Sequence, residues 1–522
     1  MGSMSKVKDG NELAAIIGDG ATIGVCGLGL SGWNEEMARA IERRFFETGH
    51  PQNIVLFQSG ALGDWTEKRG PTHFGHEGLI KRWIGAHIGS NPNMSRLVEQ
   101  NKIEAYNLPQ GAIIHLWREI AAKRPGLITK VGIKTFVDPR MEGGKLNPLT
   151  KTKEDIVKVI ELEGEEYLFY KSFPIDFALI RGTVADENGN LTMENEGQLN
   201  AALPLAQAAK NSGGIVIAQA EYLASAKSLH PKEVKVPGIL VDYIVLATTK
   251  ENHWQTEGLY YSPAFAGKVK VPATEVPSSK LDERKVISRR AALELERNAI
   301  VNLGIGIPTG VATVAAEENS SDYVTLTTEA GGIGGVPEGV PNFGHTYNAE
   351  AIIEEVAQFD FYDGGGIDIA FLGMAQADKY GNVNVTHFES KVTGCGGFVD
   401  ISQNAKKVVF CGTLTAGGLK TKIHDGKLII SEEGKYNKFL EKVEHVSFSG
   451  DYARETGKSV LFVTERAVFT LESGEMKLIE IAPGIDLEKD ILAHMGFTPV
   501  ISGKIKEMSP RIFSTGLMGN LF

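Results

Sequence analysis

The 522-residue sequence predicts an α/β fold built from two similar open α/β domains with largely parallel sheets. Three observations lead there. Strand-like and helix-like segments alternate, as in Ala21–Val25, Asn34–Phe46 and Asn53–Gln58. Two motifs recur in the same order in both halves of the chain. The composition, 42% hydrophobic and 23% charged, supplies large apolar cores and excludes wholesale disorder.

The first recurring motif runs from a strand into a glycine turn and a helix. Asp19-Gly-Ala-Thr-Ile-Gly-Val-Cys-Gly27-Leu-Gly29-Leu-Ser-Gly32 parallels Arg297-Asn-Ala-Ile-Val-Asn-Leu-Gly304-Ile-Gly306-Ile-Pro-Thr-Gly310. The second pairs Ile175-Asp176-Phe and Ala185-Asp186-Glu-Asn-Gly189-Asn190 with Ile367-Asp368-Ile and Ala377-Asp378-Lys-Tyr-Gly381-Asn382, at a constant offset of 192. Two ordered echoes indicate a duplicated domain. They lie 148 residues apart in the first half (27 to 175) and 63 in the second (304 to 367), so the first copy carries an insertion of about 85 residues. The expected division is an N-terminal domain over 4–265, a linker over 266–283 and a C-terminal domain over 284–518. The stretch Lys268–Lys280 has no sustained apolar period and contains Pro272 and Pro277.

Lys plus Arg number 54 against 65 Asp plus Glu, a net charge of −11 that repels nucleic acid. No run approaches 18 apolar residues and no secretory leader pattern is present, which argues against a membrane protein. Cys26, Cys395 and Cys411 are scattered, odd in number and fit no metal or C-x-x-C pattern; a reducing cytoplasm suits them.

Read in order, the motifs eliminate several chemistries. Gly27-x-Gly29-x-x-Gly32 satisfies the dinucleotide fingerprint, but the next strand ends in Gln58-Ser59-Gly60 with no acid for a ribose hydroxyl, and Pro308 breaks the spacing in the second copy. It reads as a structural turn, or a turn lining some other ligand. His73-x-x-His76 with His87 could contact a metal but lacks a fourth ligand, so no metal site is expected. Gly457-Lys458-Ser459 has Tyr452 where a P-loop needs glycine. The sharpest feature is Glu329, which follows the strand 323–328 and opens a glycine turn, Ala330-Gly-Gly-Ile-Gly-Gly335. Ligands sit at the carboxyl ends of parallel strands. Glycine clusters at 364–366, 394–397 and 417–418 offer backbone N–H groups to phosphates or an oxyanion. Glu338, beyond the turn, reads as an exposed carboxylate with no role in attack.

Gly304-Ile-Gly306-Ile-Pro308, Thr328-Glu329-Ala-Gly-Gly-Ile-Gly-Gly, Phe361-Tyr-Asp-Gly-Gly-Gly-Ile-Asp368 and Gly373-Met-Ala-Gln-Ala-Asp-Lys-Tyr-Gly-Asn382 together resemble the β-type half of the glutamate-dependent CoA-transferases. Gly27-Leu-Gly-Leu-Ser-Gly32 and Leu108-Pro-Gln110-Gly111 resemble the α-type half, fused here into one chain. Gly394–Gly418 and Glu465-Arg-Ala-Val-Phe469 are similar to the propionate or acetate subgroup. Two positions depart from the pattern: Trp33-Asn34 stands where the family usually has a proline, and Ala330 follows the glutamate where asparagine is common.

The resemblance implies two domains with the active site in the cleft between them, and assembly into a dimer or tetramer. It also implies CoA exchange between short-chain acyl-CoA and carboxylic acids. That chemistry trades one thioester for another, so it needs no prosthetic group, with coenzyme A itself as substrate. Glu329 is the expected nucleophile. Backbone N–H groups of Gly396 and Gly397 are the expected oxyanion donors, with Gln110 as a substrate-side donor from the first half. Gly304, Gly306, Gly394 and Lys420 are expected to bind CoA. An acyl-CoA hydrolase, a non-catalytic acyl-CoA-binding protein and a dinucleotide oxidoreductase are the competing functions.

Overall fold

The apolar runs read from the sequence become the central strands of two sheets in the computed structural model, which describes residues 5–272, 280–389 and 391–522. Part of the expected linker, 273–279, lies outside these residues. In the first half β1 (Thr22–Val25), α1 (Glu35–Thr48), β2 (Ile54–Gln58), β3 (Ile80–Gly85), β4 (Glu104–Asn107), α2 (Gln110–Ala121), β5 (Phe177–Asp186), α3 (Ala202–Asn211), β6 (Ile215–Ala224) and β7 (Tyr243–Leu246) follow one another. The strands align in parallel in the order β7-β6-β5-β1-β2-β3-β4.

The second half repeats this plan with β8 (Ile300–Leu303), α4 (Gly310–Glu317), β9 (Thr325–Thr327), α5 (Glu355–Asp363), β10 (Ile369–Gly373), α6 (Phe398–Asn404), β11 (Lys407–Cys411) and β12 (Ser459–Val463). The parallel order is β12-β11-β10-β8-β9, extended antiparallel by Ala467–Glu472 and Glu475–Ile481. Such strands are covered on both faces, and this explains why Val408, Val409, Phe410 and Cys411 are all buried without alternation.

The duplication is visible in the register. Ile23 pairs with Phe177 as Val301 pairs with Ile369, which is the 192-residue offset at the second strand. The echoed aspartates also do the same work. Asp176 accepts from the N–H of Thr22 at 2.8 Å, and Asp368 accepts from the N–H of Ile300 at 2.8 Å, each stitching the start of one strand to its neighbour. Asp186 and Asp378 each hold a turn by accepting from two N–H groups and the side chain of Asn190 or Asn382. The insertion in the first copy is accounted for by β3, β4 and a small three-stranded sheet, Gly126–Thr129, Val157–Leu162 and Glu165–Lys171.

The halves are packed together as well as joined in sequence. A single core cluster runs through Leu108, Ile113 and Trp117 of the first half into Phe359, Val399 and Ile401 of the second. Backbone bonds cross the same boundary: Ile88 and Gly89 donate to the carbonyl of Thr393 at 2.8 and 2.9 Å, and Gly396 donates to Ala86 at 2.9 Å. The segment 393–396 is thereby laid along the end of β3, which brings the glycine loop of one half against the other.

Candidate active site

The C-terminal edge of β9 runs into a tightly closed turn. The N–H of Thr328 donates to the carbonyl of Gly332 at 2.9 Å, and the N–H of Gly332 returns to Thr328 Oγ1 at 3.0 Å. Beneath it the hydroxyl of Tyr362 donates to Thr327 Oγ1 at 2.7 Å. Glu329 occupies the tip of this turn and forms part of the wall of a cavity of about 350 Å³. Burial alone pushes its carboxyl up to about 7.

Both halves contribute to the cavity. Ala61 and His87 come from the first; Gly304, Thr309, Phe343, Met374, Gly394–Gly397 and Phe398 are among those from the second. The glycine loop is mostly occupied with its own support. Gly394 donates to Thr386 at 3.2 Å, Cys395 to Asn107 Oδ1 at 3.1 Å and Gly396 to Ala86. The N–H of Gly397 alone in this loop has no acceptor among the described residues. Of the two expected oxyanion donors, Gly396 is thus spent on Ala86 and Gly397 is left without an acceptor among the described residues. A Cβ on Gly397 would lie 2.3 Å from Glu329 Oε2, so its backbone is in direct contact with the carboxylate.

Gln110 reaches the glycine loop from the first half. Its backbone N–H donates to Gly396 at 3.0 Å, but its side chain is fully buried behind the loop, where Nε2 donates to Glu355 Oε1 at 2.6 Å. It bridges the halves instead of lining the cavity. Glu355 is itself raised to about 8, by burial first and then by the nearby charge of Glu329.

Of the expected CoA contacts, Gly304 and Gly394 stand on the wall, whereas Gly306 sits on an exposed turn at its rim, between the lining residues Ile305 and Thr309, whose hydroxyl donates to the Gly306 carbonyl at 2.7 Å. Lys420 does not line the cavity; it is exposed on the Lys420–His424/Lys427–Glu432 hairpin and paired with Glu432. Hydropathy could not show this, because the pairing depends on the hairpin register. Trp33 and Asn34 serve the fold: Trp33 is buried, and Asn34 caps α1 and donates to Ile180.

Two wall residues were missed or misread in sequence. His73 and His76 turn to Glu35 and Glu42, while His87 leaves them and faces the cavity as a neutral imidazole, lowered to about 4 by burial. Glu338 is half-buried and lines the same cavity as Glu329, contrary to its reading as an exposed control. The signal was present in Gly334-Gly335, which turns the chain back into the hairpin Val336–Pro337/Thr346–Tyr347. Cys395 also touches the cavity, but burial holds its thiol well above the usual range, unsuited to nucleophilic work.

Residues 8–247 match the family model described as coenzyme A transferase. The chain is 56% identical to caffeate CoA-transferase of Acetobacterium woodii, covering 98% of each. It is 43% identical to acetate CoA-transferase YdiF of Escherichia coli K12, covering 98% of this chain and 96% of that one. Among solved structures, the acyl-CoA transferase YdiF of E. coli O157:H7 superposes with a TM-score of 0.93 as the apoenzyme, at 42% identity over 100% of this chain and 98% of that one. Its thioester complex with CoA gives 0.92, at 43% identity over 99% and 97%.

Proposed function

The chain belongs to the coenzyme A transferase family, and from that premise we propose that it exchanges CoA between short-chain acyl-CoA and carboxylic acids through a thioester on Glu329. It is an enzyme that transfers CoA and takes CoA as substrate. The observation that carries the finer reading is the placement of Glu329: a partly desolvated carboxylate at the end of a parallel strand, on a cavity shared by both halves, with the unpaired N–H of Gly397 beside it.

The chemistry follows from that geometry. The Glu329 carboxylate attacks the acyl thioester carbonyl; the C–S bond breaks, leaving an acyl-glutamyl anhydride and CoA thiolate. The thiolate then attacks the glutamyl carbonyl and expels the first acid as its carboxylate, leaving a glutamyl-CoA thioester. An acceptor carboxylate reverses both steps and regenerates Glu329. Each tetrahedral intermediate places an oxyanion within reach of the Gly397 N–H, and one such donor is worth roughly 3–4 kcal/mol. Poor solvation at Glu329 helps, because a carboxylate stripped of water is a stronger nucleophile and its charge is dispersed as the anhydride forms.

Relatives named for acetate and for caffeate support a carboxylic acid acceptor. The thioester complex of the E. coli relative supports a covalent intermediate. A homo-oligomeric cytoplasmic enzyme without a prosthetic group, taking propionate or acetate, completes the proposal. The domain division at 265 and 284 belongs to it as well. Mixing enzyme with acyl-CoA and no acceptor should leave the protein heavier by CoA less water, on the peptide containing Glu329. Glu329→Ala should abolish adduct and exchange. An adduct that persists in Glu329→Ala would remove the assignment, and turnover to free CoA without acceptor would identify a hydrolase.

A further inference from the structure

We infer that Glu338 sets the acceptor selectivity of this site, discriminating against acids that carry a second negative charge and favouring monocarboxylic acids with an apolar body. The inference rests on Glu329 being the nucleophile.

Glu338 lies nine residues beyond Glu329 in sequence and shares its cavity. Its position is fixed from both sides. The N–H of Glu338 donates to the carbonyl of His345 at 2.9 Å, continuing the hairpin in which Val336 faces Tyr347 and Pro337 faces Thr346. Its carboxyl is hydrogen-bonded by Asn342, whose Oδ1 accepts from Thr256 Oγ1 of the first half at 2.7 Å. The carboxylate has no cationic partner among the described residues, and no lysine or arginine stands on the cavity wall. Phe343, Leu372, Met374, Phe398 and Ile401 make the remaining wall largely apolar.

The charge balance during turnover follows. When Glu329 carries CoA it is a neutral thioester, so Glu338 is the remaining carboxylate of the cavity wall. The acceptor must enter with its reacting carboxylate ionised. A second carboxylate on the same molecule has no cation to meet, an apolar wall around it and Glu338 as a like-charged neighbour. Because Glu338 acts on the reacting carboxylate too, its signature is a ratio between acceptors and not an absolute rate. Two like charges ~10 Å apart at an effective dielectric of ~20 correspond to about tenfold.

The test compares kcat/KM for butyrate and succinate, equal in chain length, in the wild-type protein, Glu338→Gln and Glu338→Lys. The succinate-to-butyrate ratio should rise about tenfold in Glu338→Gln and further in Glu338→Lys. In the wild type the same ratio should rise with ionic strength as the repulsion is screened. Ratios within twofold of wild type in both variants, or a wild-type ratio indifferent to salt while the Glu329 adduct still forms, overturn the inference. Failure of the wild type to form that adduct overturns the nucleophile assignment first and this inference with it.

Discussion

Replacing Gly397 with alanine tests how closely the nucleophile is held. Gly397 has φ −83°, a conformation any residue adopts, so the backbone itself does not demand glycine. What demands it is space. A Cβ would stand 2.3 Å from Glu329 Oε2, 3.0 Å from Phe359 Cζ and 3.3 Å from Ile401 Cδ1. Carbon and oxygen settle no closer than about 3.3 Å, so the end of the Glu329 side chain must retreat by about 1 Å. The two apolar contacts need only tenths of an ångström. A displacement of that size at the reacting atom costs on the order of 10²-fold. Gly397→Ala should therefore fold with an unchanged far-ultraviolet spectrum and lose about two orders of magnitude in the single-turnover rate of adduct formation. Butyrate or acetate should not restore it. A folded Gly397→Ala protein that forms the adduct within a factor of three of the wild-type rate would show that Glu329 attacks from another position.

Two further predictions concern the charge on Glu329. The attacking form is the carboxylate and burial holds its pKa at about 7, so kcat/KM for acyl-CoA should fall about tenfold per pH unit below 7 and level off above it. An acid limb centred between 4 and 5 would mean the carboxylate is well solvated in the working enzyme. The same raised pKa is a cost to the fold. The native state binds the Glu329 proton more tightly than the unfolded chain, so stability is lost as pH rises from the unfolded value of 4.5 through about 7. Glu329→Gln escapes this penalty. It should be more stable than wild type at pH 8, by up to about 3 kcal/mol, with the gain vanishing near pH 4. Equal denaturation midpoints at both pH values would refute the sign.

The sequence by itself determined the strands, the duplication and the choice of Glu329 as candidate nucleophile. Those properties are carried by short segments: apolar runs bounded by turn residues, such as Ala21–Val25 and Asn53–Gln58, became strands, and the echoed Asp176 and Asp368 each bind the neighbouring strand at the same geometric place. Glu329 was legible because strand end, glycine turn and family motif coincide within eight residues. Tertiary structure decided everything that depends on which groups are already satisfied. Gly396 and Gly397 are the same residue type in adjacent positions, yet one N–H is spent on Ala86, 310 residues away, and the other has no acceptor among the described residues. Gln110 was found but its side chain is drawn to Glu355 across the boundary between halves. Lys420 is paired on a hairpin, and Glu338 is folded back onto the cavity that Glu329 lines. The reason is that a donor's availability and a carboxylate's solvation are set by long-range partners, which no window of sequence contains.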